Sequence, residues 1–372
     1  VGKKDFSEVK CILNVDPSNK LSLHRILLKS VPYFLRETLV SDPEAAKLLL
    51  KSYLDKGPLS RLARHLLGNG SIFASVDTWR HRRKILSQAT APKHTKNFME
   101  IFERNSNLIV KQLARVAGKG DFSCWDFVCS CSMDSACEYL SIQENSEHPF
   151  VQAFIEYLDN LSVRTLQFWL HNDAVYRWMP VYPKQLKARN IIHDFVTKLI
   201  YFDAKGNNKM ESLLELLLKY SGGDKGYSDT ELLEESLTLL LASTDTSATA
   251  ACFTLILLSQ HRDLQEKVYK EITLNDINKL EYLDAFVKES LRLYPPVPAI
   301  VRYVDRDFEL SSGLQLCKGS EIMVNIWGIH HNPHYWGEDA EEFKPERCRI
   351  SCAFTTTPLQ QHIHIYLSKA LQ

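Results

Sequence analysis

Trp79 and Arg83 stand four residues apart in Trp79-Arg80-His81-Arg82-Arg83-Lys84, so on a helix they share one face. An indole N–H beside a guanidinium can clamp a carboxylate or a phosphate. Arg80 and Lys84 share a neighbouring face, and Arg82 points elsewhere. The competing explanation is an exposed basic helix with one buried tryptophan. A second group of polar residues, Ser243-Thr244-Asp245-Thr246-Ser247, interrupts an otherwise apolar stretch. Ser and Thr hydroxyls inside a helix can bond back to the carbonyl one turn earlier, and an aspartate beside a threonine can relay protons to a ligand. The alternative is a solvated face, against which stand the leucines before the group and Ala250, Phe253 and Leu255 after it.

Glu289 and Arg292 are three apart in Lys288-Glu289-Ser290-Leu291-Arg292, and so can pair on a helix. Exposed, such a pair contributes only about 0.3–0.5 kcal/mol; buried and joined by a second arginine, it can fix a fold. Arg347, in Glu342-Phe343-Lys344-Pro345-Glu346-Arg347, is the candidate second arginine. Arg302 follows the apolar run Ala299-Ile300-Val301, and a strand there can aim it inward or leave it exposed.

Helices must position most of these groups. Apolar periodicity predicts them near 42–52, 77–89, 93–117, 122–140, 149–170, 183–201, 210–220 and 281–293. The longest opens on Ser228-Asp229-Thr230-Glu231, a capping box, and runs to Gln260, about 30 residues or roughly 45 Å. Strand-like pieces are Pro32–Leu35, Thr38–Val40, Val301–Val304, Phe308–Leu310 and Glu321–Val324. The expected class is mainly α with a small β portion. Lys+Arg and Asp+Glu both number 45, so charge gives no pointer to nucleic acid. Nine cysteines without paired spacing argue against a zinc site, and no apolar run reads as long enough to span a bilayer.

The order WxxxR, A-x-x-D-T-S, ExxR and F-x-P-E-R resembles the cytochrome P450 superfamily over roughly residues 20–350. Gly68–Phe73 before the WRHRRK run, and Tyr282-Leu283 before KESLRLYPPVP, resemble the microsomal family-4 group of fatty-acid and xenobiotic hydroxylases. The resemblance implies a P450 fold over 1–347 and a haem-thiolate monooxygenase. It would insert one oxygen atom of O2 into an apolar substrate: a fatty acid, terpenoid, hormone-like lipid or xenobiotic. It implies that Trp79, Arg83 and Arg302 bind the propionates of haem b, and that Asp245 and Thr246 steer protons. Glu289, Arg292 and Arg347 would form a structural triad, with Leu241, Ala242, Val297, Ile300 and the stretch from Thr238 touching substrate. Electrons would come from NADPH through NADPH-cytochrome P450 reductase, which would meet the basic surface of Arg80, Arg82 and Lys84. Location would be the cytosolic face of the endoplasmic reticulum membrane, with an anchor preceding residue 1.

Four departures accompany the resemblance. Ser243 stands where the oxygen-binding helix usually has Gly, and Ala242 where many family-4 members carry a haem-linking Glu. Cys348 replaces the usual Phe after Pro-Glu-Arg. The Phe-x-x-Gly-x-Arg-x-Cys-x-Gly loop that supplies the iron ligand does not occur between 348 and 372, so no metal ligand is assigned; Cys348 and Cys352 lack the flanking Gly and Arg. Codons permitted for His362–Leu371 give His-Pro-Tyr-Ile-Pro-Phe-Lys-Gly-Pro in another frame, close to what the family places before that cysteine. The expectation is an atypical, frame-shifted tail over 348–372 and a chain inactive as written. The competing reading is a non-catalytic relative that folds partly or binds a lipid without haem. An unrelated helical scaffold would require all four motifs to coincide by chance.

Overall fold

Asp42 caps the first helix: its Oδ2 accepts the Ala45 N–H at 2.7 Å, and Pro43 occupies the first turn. The computed structural model describes residues 39–57, 60–91, 94, 99–139, 149–203, 212–223, 226–274, 280–309 and 315–351. The strand expected at 32–35, Cys352 and the tail from 352 onward lie outside the described residues.

In chain order the elements are β1 (Leu39–Val40), α1 (Pro43–Ser52), α2 (Arg61–Leu67), α3 (Val76–Ala89), α4 (Met99–Val116), α5 (Cys124–Tyr139), α6 (Pro149–Leu166), a 3-10 turn (Phe168–Leu170), α7 (Asp173–Arg177), α8 (Val181–Asp203), α9 (Leu213–Ser221), α10 (Asp229–Gln260), α11 (Arg262–Leu274), α12 (Glu281–Leu293), β2 (Ala299–Tyr303), β3 (Phe308–Glu309), β4 (Gln315–Leu316), β5 (Glu321–Asn325), α13 (Ile326–His330), α14 (Pro333–Trp336) and α15 (Pro345–Ser351). The mainly helical class with a small β portion therefore holds.

Helix α10 is the spine. Ser228 caps it by accepting the Glu231 N–H at 3.3 Å, while Glu231 Oε2 accepts the Ser228 N–H at 3.0 Å. Its first half enters the largest apolar core through Leu232, Leu237 and Leu240. There it meets Leu66 of α2, Ile85 of α3, Tyr157 of α6, Ile192 of α8 and Leu217 of α9. Its second half packs Ala248 and Cys252 against Val128 and Cys129 of α5. One expectation needs correction here: α10 is long and apolar enough, by length and composition, to cross a membrane. Its contacts with α2, α5, α8, α9, α11 and α12 make it a core helix of this fold.

The main sheet has the order β1-β5-β2, with β1 parallel and β2 antiparallel to β5; Arg302 registers with Ile322 and Tyr303 with Glu321. A smaller core beneath it joins Val40, Leu49, Tyr53, Ile322 and Val324. The Tyr303 N–H donates to Asp55 O at 2.9 Å, fastening the chain that leaves α1 to the end of β2.

Candidate active site

Helix α3 buries Arg82, Ile85, Leu86 and Ala89, one stripe at helical spacing. Trp79 and Arg83 flank that stripe, both half-buried. The Arg83 guanidinium lies 5.5 Å from the centre of the Trp79 ring, so the expected pair is assembled. Arg302 is half-buried on β2 and donates from Nη1 to Val301 O at 2.8 Å. Both arginines act on Lys56, which sequence reasoning missed. Burial, then the positive charges of Arg302 and Arg83, lower the Lys56 ammonium to about 8. Cations from α3, from β2 and from the loop after α1 thus converge on one place, a setting that favours an anion.

Arg82 corrects the sequence reading. It is 3% exposed and belongs to no basic surface. Its Nη1 donates to Asn69 O at 2.7 Å and to Glu235 at 3.3 Å, and its Nη2 to Glu234 at 3.1 Å and Glu231 at 3.4 Å. Fully buried Glu235 also accepts from Ser71 N at 2.9 Å and Ser71 Oγ at 2.7 Å. The network ties α3, α10 and the loop 68–73 together. Arg80 and Lys84 remain exposed, as expected of a basic surface. Gly70 lets that loop lie flat on α10: a Cβ there would overlap Thr238 Oγ1 and stand 2.6 Å from Glu234 O. Thr238 is 2% exposed beneath it. Gly70→Ala is expected to lower stability by roughly 1–3 kcal/mol through overpacking, read from the shift of a urea unfolding midpoint.

The middle of α10 uses its hydroxyls as anticipated. Thr246 Oγ1 donates to Ala242 O at 2.6 Å and Ser243 Oγ to Leu239 O at 2.7 Å, each one turn back. Asp245 turns the other way, to α5, where its charge helps burial push the Cys129 thiol up to about 11. Burial raises the Asp245 carboxyl above its ordinary 3.8. The folded chain then holds this proton more tightly than the unfolded chain, so stability falls as pH rises from the unfolded value through the raised one. Asp245→Asn is expected to raise the denaturation midpoint at pH ~7 and to lose that advantage near pH ~3. A midpoint unchanged at both pH values would contradict the assigned burial.

Among the proposed substrate contacts, Leu241 packs on the large core and Ile300 on the core beneath the sheet. Ala242 is half-buried beside Thr246, and Val297 is half-buried in the turn before β2. Among the described residues no hydrogen bond or ion pair joins the Asp245–Thr246 segment to Arg83 or Arg302.

Glu289, Arg292 and Arg347 meet. Arg292 donates from Nε to Glu289 Oε2 and from Nη2 to Oε1, both at 2.8 Å, a bidentate pair. Its Nη1 donates to His330 O at 2.8 Å and Ala340 O at 2.7 Å. Arg347 Nε reaches Glu289 Oε1 at 3.4 Å, while its Nη1 reaches Trp336 O at 2.7 Å and Asp339 at 3.0 Å. Glu289 is wholly buried and Arg292 is 3% exposed. Cys348 adds a thiol 3.6 Å from Glu289 Oε2, and burial with that carboxylate pushes it up to about 12. Cys348 turns its thiol to the triad carboxylate and lacks the flanking Gly and Arg of the family's ligand loop, so its surroundings do not fit an iron ligand.

The family model for cytochrome P450 matches residues 34–349. The chain belongs to the cytochrome P450 family. Among similar proteins, cytochrome P450 4c21 of Blattella germanica is 29% identical over 346 residues, 83% of this chain and 69% of that protein. Cytochrome P450 4d8 of Drosophila melanogaster is 27% identical over 364 residues, covering 87% and 77%. Human cytochrome P450 4V2 is 28% identical over 343 residues, covering 82% and 65%. The chain is thus a family-4-like P450, and the family is one of haem monooxygenases. The basic residues fit the carboxylate edge of a haem; the surroundings of Cys348 do not fit its iron.

Proposed function

We propose that the full protein is a family-4-type monooxygenase that holds haem b by its propionates and oxidises an apolar lipid-like or xenobiotic substrate. The observation that carries this reading is that Arg83, stacked on Trp79, and Arg302, from separate elements, both bear on the charge of buried Lys56. Haem, bound with a thiolate ligand, supplies the activation of O2 for insertion into a C–H bond. The chain's own residues do the rest. Trp79, Arg83 and Arg302 bind and orient the carboxylates. Thr246 donates its hydroxyl to Ala242 O and would have to turn from that carbonyl to pass a proton to a haem-bound ligand. Asp245, raised by burial on the α5 side of α10, would hold a proton at its carboxyl. Glu289, Arg292 and Arg347 hold α12 and α15 together. Leu241, Ala242, Val297 and Ile300 give an aliphatic wall that excludes water. NADPH serves as electron source through NADPH-cytochrome P450 reductase, docking on Arg80 and Lys84, at the cytosolic face of the endoplasmic reticulum membrane.

The state of Cys348 supports a second reading, a relative that binds a lipid without haem. Reduction under carbon monoxide separates the two. A thiolate-type Soret shift in the purified protein supports the monooxygenase; neither bound haem nor a shift supports the second.

A further inference from the structure

We propose that Asn69 is a self-modification site, losing its side-chain nitrogen as ammonia to attack by the Gly70 amide, and that the fold both promotes this step and is loosened by it. The inference is independent of the haem reading.

Asn69-Gly70 is the one Asn-Gly pair in the sequence. Asn69 is exposed, and among the described residues its carboxamide makes no hydrogen bond, so it is free to swing onto the main chain. Gly70 has no Cβ to shield its nitrogen, and the packing keeps it so, because a Cβ there would overlap Thr238 Oγ1. The Gly70 N–H is held to Leu67 O at 3.2 Å, the long end of the ordinary range. Arg82 adds the chemistry. Its Nη1 donates at 2.7 Å to Asn69 O, the carbonyl of the peptide whose nitrogen must lose its proton. As that proton leaves, negative charge spreads onto Asn69 O, and a guanidinium aimed at that oxygen stabilises it. Glu231, Glu234 and Glu235 hold Arg82 in that pose beforehand.

The step balances without an outside oxidant or reductant. Gly70 N bonds to Asn69 Cγ, the Cγ–Nδ2 bond breaks, and the amide proton leaves with Nδ2 as ammonia, which closes a succinimide ring. Water then adds to one of the two ring carbonyl carbons and opens the ring to aspartate or isoaspartate at position 69. Either product puts a new carboxylate where three glutamates already share one arginine. Isoaspartate also inserts a side-chain carbon into the main chain just before Gly70 and Ser71. Ser71 N and Oγ reach buried Glu235 at 2.9 and 2.7 Å, so a shift of the chain there pulls the loop 68–73 off α10.

The test follows the purified full chain at neutral pH in isotope-labelled water, beside the same chain held unfolded in guanidinium chloride. After digestion, mass spectrometry reads the labelled oxygen gained by the peptide that carries position 69. The folded chain is expected to convert that position roughly tenfold faster than the unfolded one, the reverse of the slowing that rigid packing alone would give. This comparison needs no variant. Asn69→Gln, whose longer side chain closes the ring poorly, is expected to keep the label out of this peptide and to hold its urea unfolding midpoint over the same incubation, while the midpoint of the unaltered chain falls. Conversion in the folded chain no faster than in the unfolded one overturns the inference. So does label found only at other asparagines, or a midpoint that falls equally in Asn69→Gln.

Discussion

Glu289→Ala is expected to destabilise the chain by about 3–5 kcal/mol, because it leaves Arg292 buried without its carboxylate. The loss extends beyond one ion pair. Glu289 also accepts the Lys344 N–H at 3.1 Å and Arg347 Nε at 3.4 Å, so α12, the turn before α15 and α15 itself all converge on its two oxygens. Arg292 in turn holds the carbonyls of His330, Ala340 and Glu342, and these would have to find new donors if it moved. Lys267→Ala serves as the contrast. The Lys267–Glu346 pair is about half exposed on both sides, and its removal is expected to change stability by less than ~1 kcal/mol. Urea unfolding of the three proteins measures both effects. A Glu289 variant as stable as the Lys267 variant would show that the triad is not a buried lock.

Arg82→Met carries the second large effect, again about 3–5 kcal/mol. Three glutamates, one of them wholly buried, converge on Arg82. Removing the guanidinium leaves Glu235 with Ser71 alone for compensation. The double variant Arg82→Met/Glu235→Leu is expected to recover much of the loss, since replacing both members of a buried pair is far less damaging than removing one. A double variant with the sum of the two single losses would contradict the coupling. Because Arg82 and Arg83 are neighbours on α3, the single change is also expected to disturb the anion site.

Those two networks differ in how far the sequence discloses them. Glu289 and Arg292 are legible because i,i+3 spacing pairs them within one helix, and α12 itself runs over the expected residues, Glu281–Leu293. The rest of Arg292's hydrogen-bond acceptors are backbone carbonyls, 38 to 50 residues downstream, which leave no mark in side-chain pattern. Arg82 was misplaced because charge alone grouped it with Arg80 and Lys84. Its spacing from Ile85, Leu86 and Ala89 is the signal that puts it on the buried stripe. The Ser228–Glu231 capping box located the start of α10 to the residue, whereas α11 went unread. Only His261 separates it from α10, and its buried side is narrow, with Leu264 and Val268. Lys56 could not be found from the sequence: its position depends on a backbone hydrogen bond between Asp55 and Tyr303, 248 residues away by number.

The most direct measurement is an equilibrium titration of the purified chain with ferric haem, set beside the Arg83→Ala/Arg302→Ala variant. Saturable binding of one haem per chain is predicted, weakened by at least about tenfold in the variant. Equal affinities, or no saturable binding by the unaltered chain, would contradict a haem site built on these two arginines.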